Sequence, residues 1–220
     1  MLGKSILKNY YKIYIRGVEI YSSFYIKKHK RKEKNTMKET NQEFTSKNTS
    51  INTTKLPAIY SKLNLEKLKG KTIFDYGAGK PQTVNIIREF LEPYDIDYIP
   101  YDIYNLSDAD NCYAFERRYE ADIYVCSNVL NVIKEDDIIQ DIINEFCVFV
   151  LHYKSTAYNK PFLFKIYEGD KTKKGRKTKK DCWQRNQHTK DYIDMWDWRF
   201  MYPLIYKGFI TNLQGKELLK

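Results

Sequence analysis

Asp75-Tyr76-Gly77-Ala78-Gly79 joins an acid to a bend that lacks side chains at two positions, and a second acid, Asp102, follows 27 residues later. A backbone without Cβ atoms can turn sharply and come close to a bound molecule. A carboxylate at the tip of a neighbouring strand can accept two hydrogen bonds from the diol of a ribose. Residue types and spacing therefore describe a site for a nucleoside-like ligand. Two common nucleotide motifs do not fit it. A dinucleotide fingerprint needs glycine at position 82, where Gln82 stands, and a P-loop needs glycine at 74 and Ser or Thr after Lys80, where Phe74 and Pro81 stand.

Such a turn needs a strand before it and a helix after it. Thr72-Ile73-Phe74-Asp75 reads as a short apolar strand, and Val84, Ile87, Phe90 and Leu91 recur at helical spacing behind Pro81, a residue suited to a helix start. Tyr98 to Tyr101 reads as a second strand ending on Asp102, and Asp122 to Cys126 as a third ending on Ser127-Asn128. Ile138, Ile139, Ile142, Ile143 and Phe146 line a helical face, with Glu135, Asp136 and Asp137 in its first turn, where the helix dipole favours acids. Phe162 to Tyr167 is a further strand, running into Glu168-Gly169-Asp170. A helix around Tyr192 to Trp198 and closing strands at Tyr202 to Tyr206 and Phe209 to Asn212 complete an α/β pattern, and Leu56 to Leu63 reads as a short lead-in helix. In such open sheets the ligand lies beyond the carboxyl ends of the strands, where Asp75, Asp102 and Asn128 fall.

An acid directly before a glycine turn is the feature by which the chain resembles the class I S-adenosylmethionine-dependent methyltransferases, over residues 72–170 and more loosely 40–215. Ile73 to Gly79 is similar to the first motif of that family, Tyr98 to Asp102 to the second, and Ala121 to Ile133 to the segment facing the transferred methyl group. The resemblance implies a Rossmann-like sheet with helices on both faces, S-adenosyl-L-methionine as cofactor, and Asp75, Tyr76, Gly77, Gly79, Asp102, Ile103, Ser127 and Asn128 as the residues that bind it. It places Gly77 and Gly79 at the methionine end and Asp102 on the ribose. More narrowly, Asn48 to Asn52, Cys126 to Ile133 and Tyr167 to Asp170 resemble small bacteriophage-encoded methyltransferase-like proteins. Pro81 replaces a frequent third glycine, and Lys80 is unusual beside a sulfonium. Only 20 residues separate Asp102 from Asp122, too few for a helix, a strand and a loop, so one strand is expected to be shortened or missing. The acid on the adenine side stays open between Asp108 and Asp110.

Charge bears on the acceptor. Ten Lys/Arg against Glu19 and Glu33 give residues 1–36 a charge of +8, and seven Lys/Arg without an acid give residues 171–180 a charge of +7. The net +10 thus leaves −5 for the rest of the chain. Basic clusters on an acidic body favour polyanions, either nucleic acid or an anionic membrane face. The stretch 171–180 follows directly on the strand ending at Asp170, so Asp170, Lys173, Lys174, Arg176 and Lys177 are candidate substrate-binding residues. Trp183 and Tyr192 nearby suit base stacking, while core packing competes for Trp183, Trp196 and Trp198. Methyl transfer needs chiefly an aligned acceptor and excluded water. Asn128, Glu168 and Asp170 could orient an acceptor or take its proton, and no one of them stands out as a base. The amino-methylating DNA enzymes carry Pro-Pro-aromatic where Ser127-Asn128-Val129-Leu130 stands, and carbon-five methylation needs a cysteine after proline, whereas Cys126 follows Val125. A methyltransferase-like chain without turnover, serving as a nucleic-acid-binding module or a sink for S-adenosylmethionine, is the competing reading.

Four cysteines spaced 14, 21 and 35 apart suit reduced thiols in a cytoplasmic protein better than disulfides or zinc, and His29, His152 and His188 have no metal-ligand spacing. No apolar run approaches the roughly 20 residues of a membrane span. The expected organisation is a basic helical arm over 1–36, a polar lead-in over 37–71, and a cofactor domain over 72–220 with its basic loop at 171–180. In the arm, Ile6, Leu7, Tyr10, Tyr14, Val18, Tyr21 and Tyr25 suggest an amphipathic helix from Ser5 to Lys28, suited to peripheral membrane contact. Met37 offers a second start, so the arm is expected to be dispensable to the fold.

Overall fold

A computed structural model describes residues 13–15, 18–20, 42–45, 47, 54–151, 160–178, 180–196 and 202–220. Asn48 to Asn52, His29, His152 and Trp198 lie outside them. The chain divides into two units, Met1–Asn41 and Gln42–Lys220.

In the first unit, β1 (Ile13–Ile15) and β2 (Val18–Ile20) pair antiparallel, Ile13 opposite Ile20 and Ile15 opposite Val18. This corrects the continuous helix expected from Ser5 to Lys28. Ile13, Ile15, Val18 and Ile20 are β-branched and favour strands, and Gly17 costs a helix interior about 1 kcal/mol relative to alanine.

The second unit is an α/β domain of Rossmann-like form. Its elements are α1 (Ala58–Ser61), α2 (Leu65–Leu68), β3 (Thr72–Tyr76), α3 (Pro81–Leu91), β4 (Asp97–Tyr101), α4 (Asp108–Arg117), β5 (Ile123–Ser127), α5 (Asp136–Leu151), β6 (Phe162–Lys165), β7 (Arg176–Lys177), β8 (Trp183–Gln184), α6 (Thr189–Ile193), β9 (Leu204–Tyr206), β10 (Phe209–Thr211) and α7 (Leu213–Lys216). Six strands form the main sheet in the order β4-β3-β5-β6-β10-β9. The first four run parallel, with Phe74 beside Ile99 and Tyr124, and Val125 beside Leu163. The last strand, β10, runs antiparallel to both β6 and β9. Between β4 and β5 the chain forms only α4, so the short interval after Asp102 accommodates a helix and no additional strand.

The period-two alternation of each strand supplies two cores. Phe74, Tyr124, Cys126, Phe162 and Phe164 face α4, α5 and α6, whereas Ile73, Val125 and Leu163 face α1, α2 and α3. On the first face, Phe146 packs edge-on to Phe164 at 4.4 Å and to Tyr124 at 5.4 Å, and Trp196 stacks on Phe162 at 5.0 Å. On the second, α3 presents Val84, Ile87 and Leu91 at intervals of three and four. It opens on Pro81, with φ preset for a helix, and stops before Pro93, which has no N–H to continue the ladder. The connection through α3 leaves one way and that through α4 returns on the other face, so the switch point lies between β3 and β5. Among the described residues no helix is long and apolar enough to cross a membrane.

Phe146→Ala should cost about 3–5 kcal/mol in urea unfolding, because it empties the centre of the aromatic cluster. A loss below 1 kcal/mol would show that this face is loosely packed.

Candidate functional site

At the carboxyl end of β3, Gly77 and Gly79 adopt φ of +79° and +85°, the left-handed region that glycine enters without strain. A Cβ on Gly77 would stand 2.2 Å from Val129 Cγ2, so the loop after β5 closes directly on this glycine. The N–H groups of Gly77 and Ala78 donate to the Tyr101 carbonyl at 2.7 and 3.1 Å, and the Gly79 N–H donates to Asp102 Oδ2 at 2.9 Å. Turn and acid, distant in sequence, are thus bonded together at the ends of adjacent strands.

Asp102 is buried, and its Oδ1 accepts the N–H groups of Tyr104 and Asn105 and the Asn105 side-chain amide, each at 3.0 Å. Burial raises its pKa, opposed by the N–H donors of Tyr104, Asn105 and Gly79. An ionised carboxylate offers about four lone-pair sites, so Oδ2, with one donor, retains capacity for a ligand. Asn111, on the buried side of α4, fixes the Asp102 backbone: its Oδ1 accepts the Asp102 N–H at 2.9 Å, and its Nδ2 donates to the Asp102 carbonyl at 3.0 Å. Ile103 is partly exposed beside it, while Asp108 and Asp110 are exposed in the first turn of α4. Ser107 caps that helix by accepting the Asp110 N–H at 3.1 Å and donating to its carboxylate at 2.6 Å.

Asp75 lies beneath the turn. Its Oδ2 accepts the hydroxyls of Tyr60 at 2.5 Å and Tyr98 at 2.7 Å, and its Oδ1 is buried with no partner. Burial pushes its pKa up to about 6, with the two tyrosine hydroxyls acting in the opposite direction. Burial likewise raises the pKa of both phenols and of the Cys126 thiol, which packs within β5. At the ends of β3 and β4, Tyr76 and Tyr101 lie side by side, ring centroids 5.2 Å apart, packed against the core that faces α4 and α5.

The remaining strand ends are arranged differently from one another. Ser127 is partly exposed, and Asn128 is exposed at φ +59°, with its N–H on the Lys165 carbonyl at 2.7 Å. Glu168 is committed to structure: it accepts the Thr189 N–H at 2.6 Å at the start of α6 and pairs with Lys171 at 3.0 Å. The Thr189 N–H leads in holding its pKa down to about 2. Asp170 accepts the N–H and hydroxyl of Thr172. The basic stretch is a hairpin, with β7 pairing to β8, rather than a plain loop. Lys173 pairs with Asp191 at 3.1 Å and Lys177 with Asp181 at 2.8 Å, while Lys174, Arg176 and Lys180 are exposed and have no ion-pair partner among the described residues.

The hairpin is tied across the carboxyl edge of the sheet. Gln184 donates to the Tyr167 carbonyl at 3.2 Å and accepts from Asn131 at 3.3 Å. Buried Arg185 donates to the carbonyls of Ile133 and Lys134 and pairs with Asp136. Tyr192, a candidate for base stacking, is buried in the core instead. Residues 42–44 run over the same edge. The Tyr104 hydroxyl donates to Gln42 Oε1 at 2.6 Å, the Glu43 N–H donates to Glu135 Oε1 at 3.0 Å, Glu43 pairs with Lys134, and Phe44 stacks on Trp183 at 5.4 Å.

No family model, curated protein or solved structure matches this chain, so the functional reading rests on fold and geometry. Tyr60, Tyr98, Asn111 and Arg185 were missed in the sequence. Tyr98 was within reach, because period two places it on the same face of the sheet as Asp75. Asn111 lies three residues before Ala114 on the buried side of α4 and was visible as a polar residue there. Tyr60 and Arg185 carry no local signal.

Two outcomes follow. Asp75 binds its proton up to about pH 6 when folded and only to about 3.8 when unfolded, so the stability this gives is present below pH 4 and is lost as pH rises through 6. The change is on the order of 3 kcal/mol, and Asp75→Asn should flatten that slope in pH-dependent urea unfolding; an unaltered slope would exclude Asp75 as its source. Gly77→Ala should destabilise the protein by at least 1 kcal/mol, since φ is positive and Val129 fills the space. A melting temperature equal to wild type would refute the closed packing of the turn.

Proposed function

We propose that this chain binds S-adenosylmethionine at the carboxyl edge of β3, β4 and β5 and transfers its methyl group to nucleic acid. The observation that carries the reading is the 2.9 Å bond from the Gly79 N–H to Asp102, which ties the ends of β3 and β4 beside the switch point between β3 and β5. It joins a glycine turn to an acid on the neighbouring strand in the order that the class I methyltransferases use. The Rossmann-like sheet, parallel from β4 to β6, is compatible with a nucleoside-like cofactor bound at the carboxyl ends of its strands.

The residues present suit the cofactor. Gly77, whose Cβ position is taken by Val129, and Gly79 would present backbone to its methionine end, Asp102 Oδ2 has acceptor capacity for a ribose hydroxyl, and Asp75 Oδ1 is a buried acceptor without a partner. Tyr76, Ile103, Ser127 and Asn128 stand around the same edge. When bound, the cofactor supplies a methyl group already electrophilic on its sulfonium. The protein's part is then to align an acceptor and exclude water. Asn128 is exposed at the end of β5 and can orient an acceptor by hydrogen bonding, though an amide cannot serve as the base. The hairpin cations Lys174 and Arg176 would hold the phosphates of the acceptor strand.

A second reading, a cofactor-binding protein without turnover, is favoured by Glu168 and Asp170. Both are engaged in caps and turns, and the pKa of Glu168 is too low for a base at neutral pH. Labelled-methyl transfer into DNA, RNA and cell extract separates the two: binding without transfer to any pool supports the second.

Calorimetric titration with S-adenosylhomocysteine tests the cofactor site itself. Asp102→Ala should weaken binding by ten- to a hundredfold, from about 1.5–3 kcal/mol of lost hydrogen bonds to a charged acceptor. Absence of binding to the wild-type chain would remove the proposal altogether.

A further inference from the structure

Trp183 has surroundings that core packing does not explain. Its indole lies so close to Gly175 that a Cβ there would stand 2.2 Å from Cζ2, which fixes the ring on the hairpin. It is only partly buried, and what stacks on it is Phe44, tilted by 22°, from the segment that crosses the strand ends. Lys134 Nζ stands 5.4 Å from the Trp183 ring centre and 5.6 Å from that of Phe44, and Lys177 Nζ stands 5.9 Å from Phe44. Lys174, Arg176 and Lys180 are exposed on the same hairpin without ion-pair partners among the described residues. A fixed aromatic face, cations over it and further cations along a ribbon are the parts of a single-strand binding site, in which bases stack and phosphates track basic side chains.

We infer that Trp183 is a stacking platform for an unpaired base of single-stranded nucleic acid, and that Phe44 occupies the place of that base until the strand arrives. The inference rests on the functional reading above and narrows its acceptor from nucleic acid to unpaired strands. A base inside a duplex has both faces covered by its neighbours and could not displace Phe44 without leaving the stack. The exchange is chemically even, one planar ring for another, while Lys134 stays over the platform. Glu43, paired with Lys134, repels the phosphates and gives the strand a reason to move the whole segment aside.

Fluorescence anisotropy with fluorescein-labelled 12-nucleotide DNA and RNA single strands tests this. Trp183→Leu should weaken binding about tenfold, Trp183→Phe should retain most of it, and Phe44→Ala should tighten it. Lys174→Ala with Arg176→Ala and Lys180→Ala should lower the slope of log affinity against log salt by about 2. Unchanged affinity in Trp183→Leu overturns the platform, and weakening by Phe44→Ala overturns the exchange. Duplex DNA of the same length, or phosphatidylserine vesicles, bound as tightly as single strands also overturns the proposal. Affinity for S-adenosylhomocysteine should be the same in Trp183→Leu and Phe44→Ala as in wild type. A chain that binds strands as described but not that compound keeps this inference and loses the cofactor reading.

Discussion

The bond between the Gly79 N–H and the Asp102 carboxylate fixes the distance between the ends of β3 and β4, and most of the candidate site is arranged around it. An N–H pointing out of a glycine turn has no partner from regular secondary structure, and a buried carboxylate needs donors. Each satisfies the other. The Tyr101 carbonyl draws in the next two N–H groups, of Gly77 and Ala78, so three consecutive amides are held by the neighbouring strand. Val129 then closes over Gly77, which brings the end of β5 to the same point.

Around this tie the protein maintains polar groups that an ordinary core would exclude. Asp75 lies beneath the turn with one oxygen held by two tyrosine hydroxyls and the other unpartnered. Its raised pKa reflects the cost of charging a group in that position. Asn111, fully buried on α4, secures the backbone of Asp102 from behind. A polar cluster of this kind destabilises a domain unless every member is bonded, and here one oxygen, Asp75 Oδ1, is buried without a partner.

Accessory segments are tied over this edge of the sheet. The β7–β8 hairpin is anchored by Gln184 and Arg185 on the loops after β5 and β6, and residues 42–44 reach from Tyr104 to Trp183 over the same loops. Glu168 and Asp191 serve the start of α6 and the hairpin cations. Acids that looked available for chemistry in the sequence thereby become structural, while Asn128 and the unpaired cations of the hairpin remain exposed at the edge.

The sequence by itself determined the α/β class, the strands on either side of the glycine turn, α3 and α5, because periods of two and 3.6 in apolar residues are local and survive without tertiary context. It also determined that the interval from Asp102 to Asp122 was short of one strand, a matter of chain length alone. The arm around Ile13 to Ile20 reads as helix by its tyrosine spacing, but its β-branched residues favour strands and Gly17 disfavours a helix interior. Only the tertiary structure decided that Tyr60 holds Asp75, that Glu168 is a cap, that Tyr192 is core and that Phe44 covers Trp183. Each of those contacts joins positions 15 to 139 residues apart, and a pairing across such separations leaves no periodic trace in either partner.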